Sequence, residues 1–169
     1  MKHNIARTGL LIVFAAAWVV SMAAPAQAGG PCSLYRAAGN WSFTDNGTVI
    51  GVGPRTAVGI FTLDDKGNLL NGIATSSLNG TIIDETFSGT YTVNSNCTGT
   101  INVGIYVSGV LAYTVTLNTA FDQDTGHMRG LFTSVVEPDG TSLSTVIALD
   151  ANKQDADKQD ASKQDADKK

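Results

Sequence analysis

The chain has 169 residues, of which 43 % are apolar and 15 % charged, and its formal net charge is −4. That length suits one ordinary domain, and the charged fraction lies well under the usual quarter. With so little basic residue to neutralise phosphate, a histone-like or RNA-coating protein is excluded, and two cysteines are too few for a zinc finger or a disulfide-dense scaffold.

Residues 1–28 read as a secretory signal. Lys2 and Arg7 make a positive start, Leu10 to Val20 is an unbroken apolar run, and Ala26-Gln27-Ala28 is a small-residue cleavage site. The apolar run is short of the roughly 20 residues that a membrane helix needs, so no membrane span is expected after cleavage. The protein is therefore expected to be exported, periplasmic or secreted. Residues 29–150 form the expected domain. Its cations are Arg36, Arg55, Lys66 and Arg129 against ten acids, a balance of about −6 that argues against nucleic acid as a partner.

Within that domain the period is two. Phe87, Tyr91 and Val93 alternate with hydroxyl residues, as do Ile101, Val103, Ile105 and Val107, and then Leu111, Tyr113, Val115, Leu117 and Phe121. Such alternation means antiparallel sheet with one face buried. About eight strands are predicted, at 41–49, 56–64, 69–78, 81–93, 97–107, 110–121, 127–136 and 143–149. Asn46-Gly47, Asn71-Gly72, Asn79-Gly80 and Asp139-Gly140 read as tight turns, and Gly51-Val52-Gly53-Pro54-Arg55 as a loop between the first two strands. No ten-residue helical pattern interrupts the series. Eight strands in sequential hairpins leave two exposed edges unless the sheet closes. The fold class expected is thus all-β, an up-and-down barrel, with a two-sheet sandwich as the alternative.

After Asp150 the composition changes abruptly to a five-residue repeat, KQDAD-KQDAS-KQDAD-KK, with no side chain able to build a core. Residues 151–169 are expected to be a disordered tail, either a solvated spacer or a contact with envelope polymers.

Cys32 and Cys97 are the only cysteines, both beyond the signal, and an oxidising compartment should pair them. The 65-residue separation would make the link worth roughly 4 kcal/mol in the chain-entropy model.

Gly39-Asn40-Trp41-Ser42-Phe43 opens the first strand in the manner of the lipocalin Gly-x-Trp motif. Together with Phe87 to Val93 and Asn96 to Thr100, it makes residues 31–150 resemble small exported bacterial barrels of calycin or allene-oxide-cyclase type. The resemblance implies a cavity for a small apolar molecule. The lipocalin pattern also has a basic residue near the end of the last strand; 143–149 holds none, and Arg129 belongs to the preceding strand.

The residues offer little for catalysis. His127 is the single histidine after the signal, which excludes a His₂ or His₃ metal site, and no Gly-x-Ser-x-Gly elbow is present. His127 reads as a rim residue. Asp124-Thr125-Gly126 spells the aspartic-protease triplet, but in a polar hairpin where an Asx turn accounts for it better. Asp122 begins a calcium-like loop whose twelfth position is Thr133 rather than an acid. Asp84 and Glu85 are adjacent on a strand, so they point to opposite faces and read as solubility charges. Asn-x-Ser/Thr sequons at Asn40, Asn46, Asn79 and Asn96 follow from the turn composition. No catalytic residue, metal or cofactor is expected.

The functional expectation is an exported, non-catalytic barrel binding a small apolar ligand. Phe87, Tyr91, Tyr113 and Phe132 would enclose it, the tyrosine hydroxyls would orient it, and Arg55 could receive a carboxylate at the mouth. A structural or envelope-associated protein without ligand, and a cyclase- or isomerase-like barrel enzyme, are the alternatives. Oligomeric state is not legible.

Overall fold

The computed structural model describes residues 30–154, so the expected signal and most of the repeat lie outside the described residues. Eight strands form one closed barrel in which each pairs antiparallel with its neighbour in sequence and β8 returns to β1. They are β1 (Gly39–Val49), β2 (Gly53–Leu63), β3 (Asn68–Leu78), β4 (Thr81–Val93), β5 (Thr98–Val107), β6 (Val110–Phe121), β7 (His127–Val136) and β8 (Thr145–Lys153). The up-and-down barrel is thus the fold and the sandwich is not. Closure takes up both edges of the sheet: β1 pairs with β8 from Trp41↔Lys153 to Val49↔Thr145, and β7 pairs with β8 over residues 127–131.

The alternation puts Trp41, Phe61, Leu63, Leu69, Tyr91, Phe121 and Met128 at one end of the interior, all buried. Trp41 stacks on Phe61 with centroids 6.3 Å apart and meets Phe121 edge-on at 6.1 Å, so aromatic rings fill this end. A one-turn helix, α1 (Leu34–Ala37), lies across it. The carbonyls that a helix end leaves orphaned are taken up by barrel side chains. Trp41 Nε1 donates to Ala37 O at 3.0 Å, and Thr125 Oγ1 and Lys153 Nζ donate to Arg36 O at 2.8 and 3.0 Å; Leu34 O accepts from Ala38 N at 2.9 Å, and the Tyr91 hydroxyl shares its one proton between Leu34 O and Asp64 O of the neighbouring turn. The disulfide Cys32–Cys97 ties the residues ahead of α1 to the turn between β4 and β5. This end is closed. The other, where β1 leads to β2 and β7 to β8, has no such cover among the described residues.

Four expectations need correction, and one element is additional. The helix α1 was not foreseen, because a single turn has no periodicity to read. Asn46-Gly47 is not a turn: it lies within β1, where Gly47 faces the β8 backbone so closely that a Cβ would strike Val146 O. Asn71-Gly72 is not a hairpin turn either, but a bulge inside β3, with Asn71 at φ 55° and the register to β4 shifting between Leu69 and Gly72. Residues Gly53 to Arg55, read as loop, begin β2. Finally, β8 runs to Lys153 rather than 149, because Ala151 is fully buried and Lys153 N donates to Gly126 O. The extension places a basic residue at the end of the last strand after all, opposite Trp41 in the pairing. Asn79-Gly80 does form a hairpin turn, with φ of 49° and 86°, and Ser108-Gly109 forms another, with φ of 51° and 78°.

Candidate functional site

Halfway along the interior the apolar filling is interrupted by a layer of polar side chains. Asp45 on β1 continues the inward phase of Trp41 and Phe43, and Arg55 on β2 that of Phe61 and Ala57. Glu85 on β4 continues the phase of Phe87, and Ser76 on β3 that of Ala74. Asp45 is 2 % exposed, Ser76 2 % and Glu85 5 %. The Arg55 guanidinium grips Glu85 with two parallel bonds of 2.9 Å, Nη1 to Oε1 and Nη2 to Oε2, and reaches Asp45 Oδ2 from Nη2 at 3.4 Å. Ser76 Oγ donates to Glu85 Oε1 at 2.8 Å. The fork geometry saturates Glu85. Asp45 is served less well: its Oδ1 is buried without a hydrogen-bond partner.

Burial raises the Asp45 carboxyl above its ordinary value, more than the Arg55 charge lowers it, and the Glu85 charge adds to the rise. For Arg55, burial alone would disfavour the cation. The bonds to Glu85 and the two carboxylate charges outweigh burial, so the guanidinium is held firmly charged.

Two cavities flank this layer. One, of about 40 Å³, lies on the side of the aromatic rings; Phe43, Asp45, Phe61, Glu85 and Phe87 contribute to its wall. The other, of about 110 Å³, lies at the open end, with Val49, Leu78, Tyr113, Val135 and Ile147 around it. Arg55, Ile105, Val115 and Phe132 border both. Pockets for drug-sized ligands run to roughly 300–1,000 Å³, so the barrel is largely filled by its own side chains, as eight strands allow.

Of the residues expected to enclose a ligand, Phe87 borders the inner cavity, Tyr113 the outer one, and Phe132 and Arg55 both. Tyr91 borders neither. Its hydroxyl is engaged by two backbone carbonyls at the closed end. Arg55 does receive carboxylates at the barrel axis, but they are the protein's own. Glu85 departs from its reading as a solubility charge, whereas Asp84 points outward and accepts a bond from Thr75 Oγ1 at 2.9 Å. Asp45, Ser76 and Glu85 were missed as interior groups although the period-two phase that places Phe43 and Phe87 places them too.

Outside the barrel, His127 Nε2 lies 2.9 Å from Asp150 Oδ2 and its Nδ1 3.4 Å from Asp122 Oδ2. None of the three borders either interior cavity. Asp124 Oδ1 accepts from Gly126 N at 2.9 Å, an Asx turn, while Thr125 is buried against α1. Among the described residues no group of His, Cys, Asp and Glu side chains is disposed to hold a metal ion, and no helix is long and apolar enough to cross a membrane.

No protein-family model matches the chain, and no curated protein matches it either. Solved barrels do. EF1p2_mFAP2b, in a structure bound to DFHBI, is 12 % identical over 73 % of this chain and 98 % of its own, with a TM-score of 0.53. The redesigned beta barrel mFAP1, also bound to DFHBI, is 14 % identical over 72 % of this chain and 98 % of its own, at 0.46. Rv2717c from M. tuberculosis is 13 % identical over 72 % of this chain and 95 % of its own, at 0.32. At 12 % identity the likeness to EF1p2_mFAP2b is one of fold alone, and the fold of this chain is a closed eight-stranded β-barrel.

Proposed function

We propose that the protein is an exported, non-catalytic β-barrel that admits a small apolar ligand through its open end. The observation that carries this reading is the outer cavity, an apolar recess of about 110 Å³ that ends on Arg55 and is backed by the inner space of about 40 Å³. At about 110 Å³ the outer cavity approaches the apolar cavity of roughly 150 Å³ that accepts a benzene ring. The ligand is therefore of one-ring size, seated between Tyr113, Phe132 and Val115. A larger molecule would have to displace the side chains at the mouth. That a barrel of similar fold is found bound to DFHBI is compatible with an occupied interior. Export is supported by the apolar leader at 1–28 and the paired cysteines.

Toluene titrated into the protein, followed by backbone amide NMR, tests the binding. Saturable shifts at Val115, Phe132 and Ile147 are expected. Shifts confined to the outer face, or none, would leave the second reading, a structural bead without ligand, which the small volume of both cavities favours.

A further inference from the structure

We propose that the interior selects a one-ring ligand carrying an ammonium group, with the ring in the outer cavity and the ammonium against Asp45. This deepens the ligand-binding reading and rests on it. The first observation is charge. Two acidic side chains, Asp45 and Glu85, share one guanidinium in a layer closed off from solvent, and Glu85 takes both of its forked bonds. The layer can therefore accept one further positive charge and has no use for another negative one. The second observation is the Asp45 Oδ1 atom, buried and without a partner, on a side chain that forms part of the inner cavity wall. Buried polar atoms are almost always paired, so an orphaned acceptor beside a cavity marks where a donor belongs.

Size and arrangement fit the same ligand. The inner cavity, about 40 Å³, holds little more than one small polar group. The outer cavity is mostly apolar, with Arg55, Glu137, Thr145 and the Tyr113 hydroxyl as its polar members, and takes the hydrocarbon ring. The raised carboxyl of Asp45 agrees with this, because a cation at Oδ1 would supply the charge that burial withholds. A ligand carboxylate is disfavoured. It would meet a guanidinium already engaged by Glu85 and two buried acids beside it.

Benzylamine, benzyl alcohol, toluene and benzoate share one ring and differ in the head group, so they separate the terms. Calorimetric or NMR titration of the whole protein at pH 7 should give benzylamine an affinity at least about tenfold above toluene, the size of one charge-assisted hydrogen bond. Benzyl alcohol should fall between them and benzoate should not bind. In Asp45→Asn, which keeps the shape and removes the charge, the preference for benzylamine over toluene should collapse to within about twofold while toluene affinity holds. Near-UV circular dichroism checks that the variant is folded, and the four-ligand series on the unmodified protein stands without it. Toluene binding as tightly as benzylamine overturns the ammonium site and leaves the apolar-ligand reading in place. Benzoate binding above toluene overturns it in favour of Arg55 as the anchor. No binding of any of the four removes both readings.

Discussion

Replacing Arg55 by Met probes the polar layer most directly, because it removes the single cation from between two buried acids. Met matches the length of the Arg stem and fits an apolar barrel wall, so little is lost in packing. What remains is Asp45 at 2 % and Glu85 at 5 % exposure with no countercharge. Removing one partner of a buried pair costs about 3–5 kcal/mol, a large part of the 5–15 kcal/mol that a domain of this kind has in total. For a barrel of this size that lowers Tm by roughly 10–20 °C. The loss should depend on pH. In the native protein Arg55 lowers the Asp45 carboxyl through its charge and its hydrogen bond, while burial and Glu85 raise it. Without Arg55 both of its lowering influences go and only the smaller one of the Ala57 backbone amide is left against burial and Glu85, so the folded-state value climbs further above that of the unfolded chain. A carboxyl raised on folding contributes stability below its unfolded value, near 4, and loses it as the pH rises toward the folded value. The deficit of Arg55→Met relative to the native protein should therefore be greatest near pH 7 and shrink toward pH 4. Urea denaturation at pH 7, 5.5 and 4 measures it. A deficit under about 1 kcal/mol at pH 7, or one that does not change with pH, would refute the buried-charge argument. The triple variant Asp45→Leu, Arg55→Met, Glu85→Leu should recover most of the loss, as apolar replacement of whole buried networks often does.

Reduction of Cys32–Cys97 under native conditions should lower unfolding stability by roughly 4 kcal/mol, measured with and without reductant, since the bridge closes a separation of 65 residues. Truncation after Gln154 should leave Tm unchanged, whereas truncation after Asp150 removes the fully buried Ala151 and the Lys153 bonds to Gly126 O and Arg36 O, and should cost several degrees by scanning calorimetry. Burial pushes the Tyr91 phenol up to about 12, aided by the Asp64 and Asp65 charges. The neutral phenol is thus favoured in the fold, and its contribution, intact below pH 10, is lost as pH rises from about 10 to 12. Thermal melts across that window should decline less steeply for Tyr91→Phe, although that variant starts lower at pH 8 by about 1–3 kcal/mol for the donor that Asp64 O loses. Gly47→Ala would drive a Cβ into Val146 O between β1 and β8, and should cost at least about 1–3 kcal/mol in chemical denaturation; an unchanged midpoint would mean that the two strands part easily.

The sequence by itself determined the strands. Alternation from Thr100 to Val107 and from Val110 to Phe121 reflects a physical requirement, that one face of each strand avoid water, and this requirement is local enough to read directly. Hairpins such as Asn79-Gly80 were legible because only a positive φ joins two strands in two residues, and the pairing of Cys32 with Cys97 because nothing else was present to pair. What only the tertiary structure decided is how strands bend and what meets inside. Closing a barrel forces strands to coil, and the strain is released at bulges. Asn71-Gly72 therefore resembles a turn but bends β3. The shift between Ile105 and Tyr106 pairs Leu111 with Tyr106 and Tyr113 with Ile105, moving Leu111 off the expected interior face. Phase assigns a residue to a face but gives neither its height along the barrel nor its partner across the axis. Asp45, Arg55 and Glu85 each carried an inward phase in the sequence. That they lie at one level, ten and thirty residues apart in the chain from Arg55 and within 3.4 Å of its guanidinium, follows from the register of four strands, which depends on the whole closed sheet.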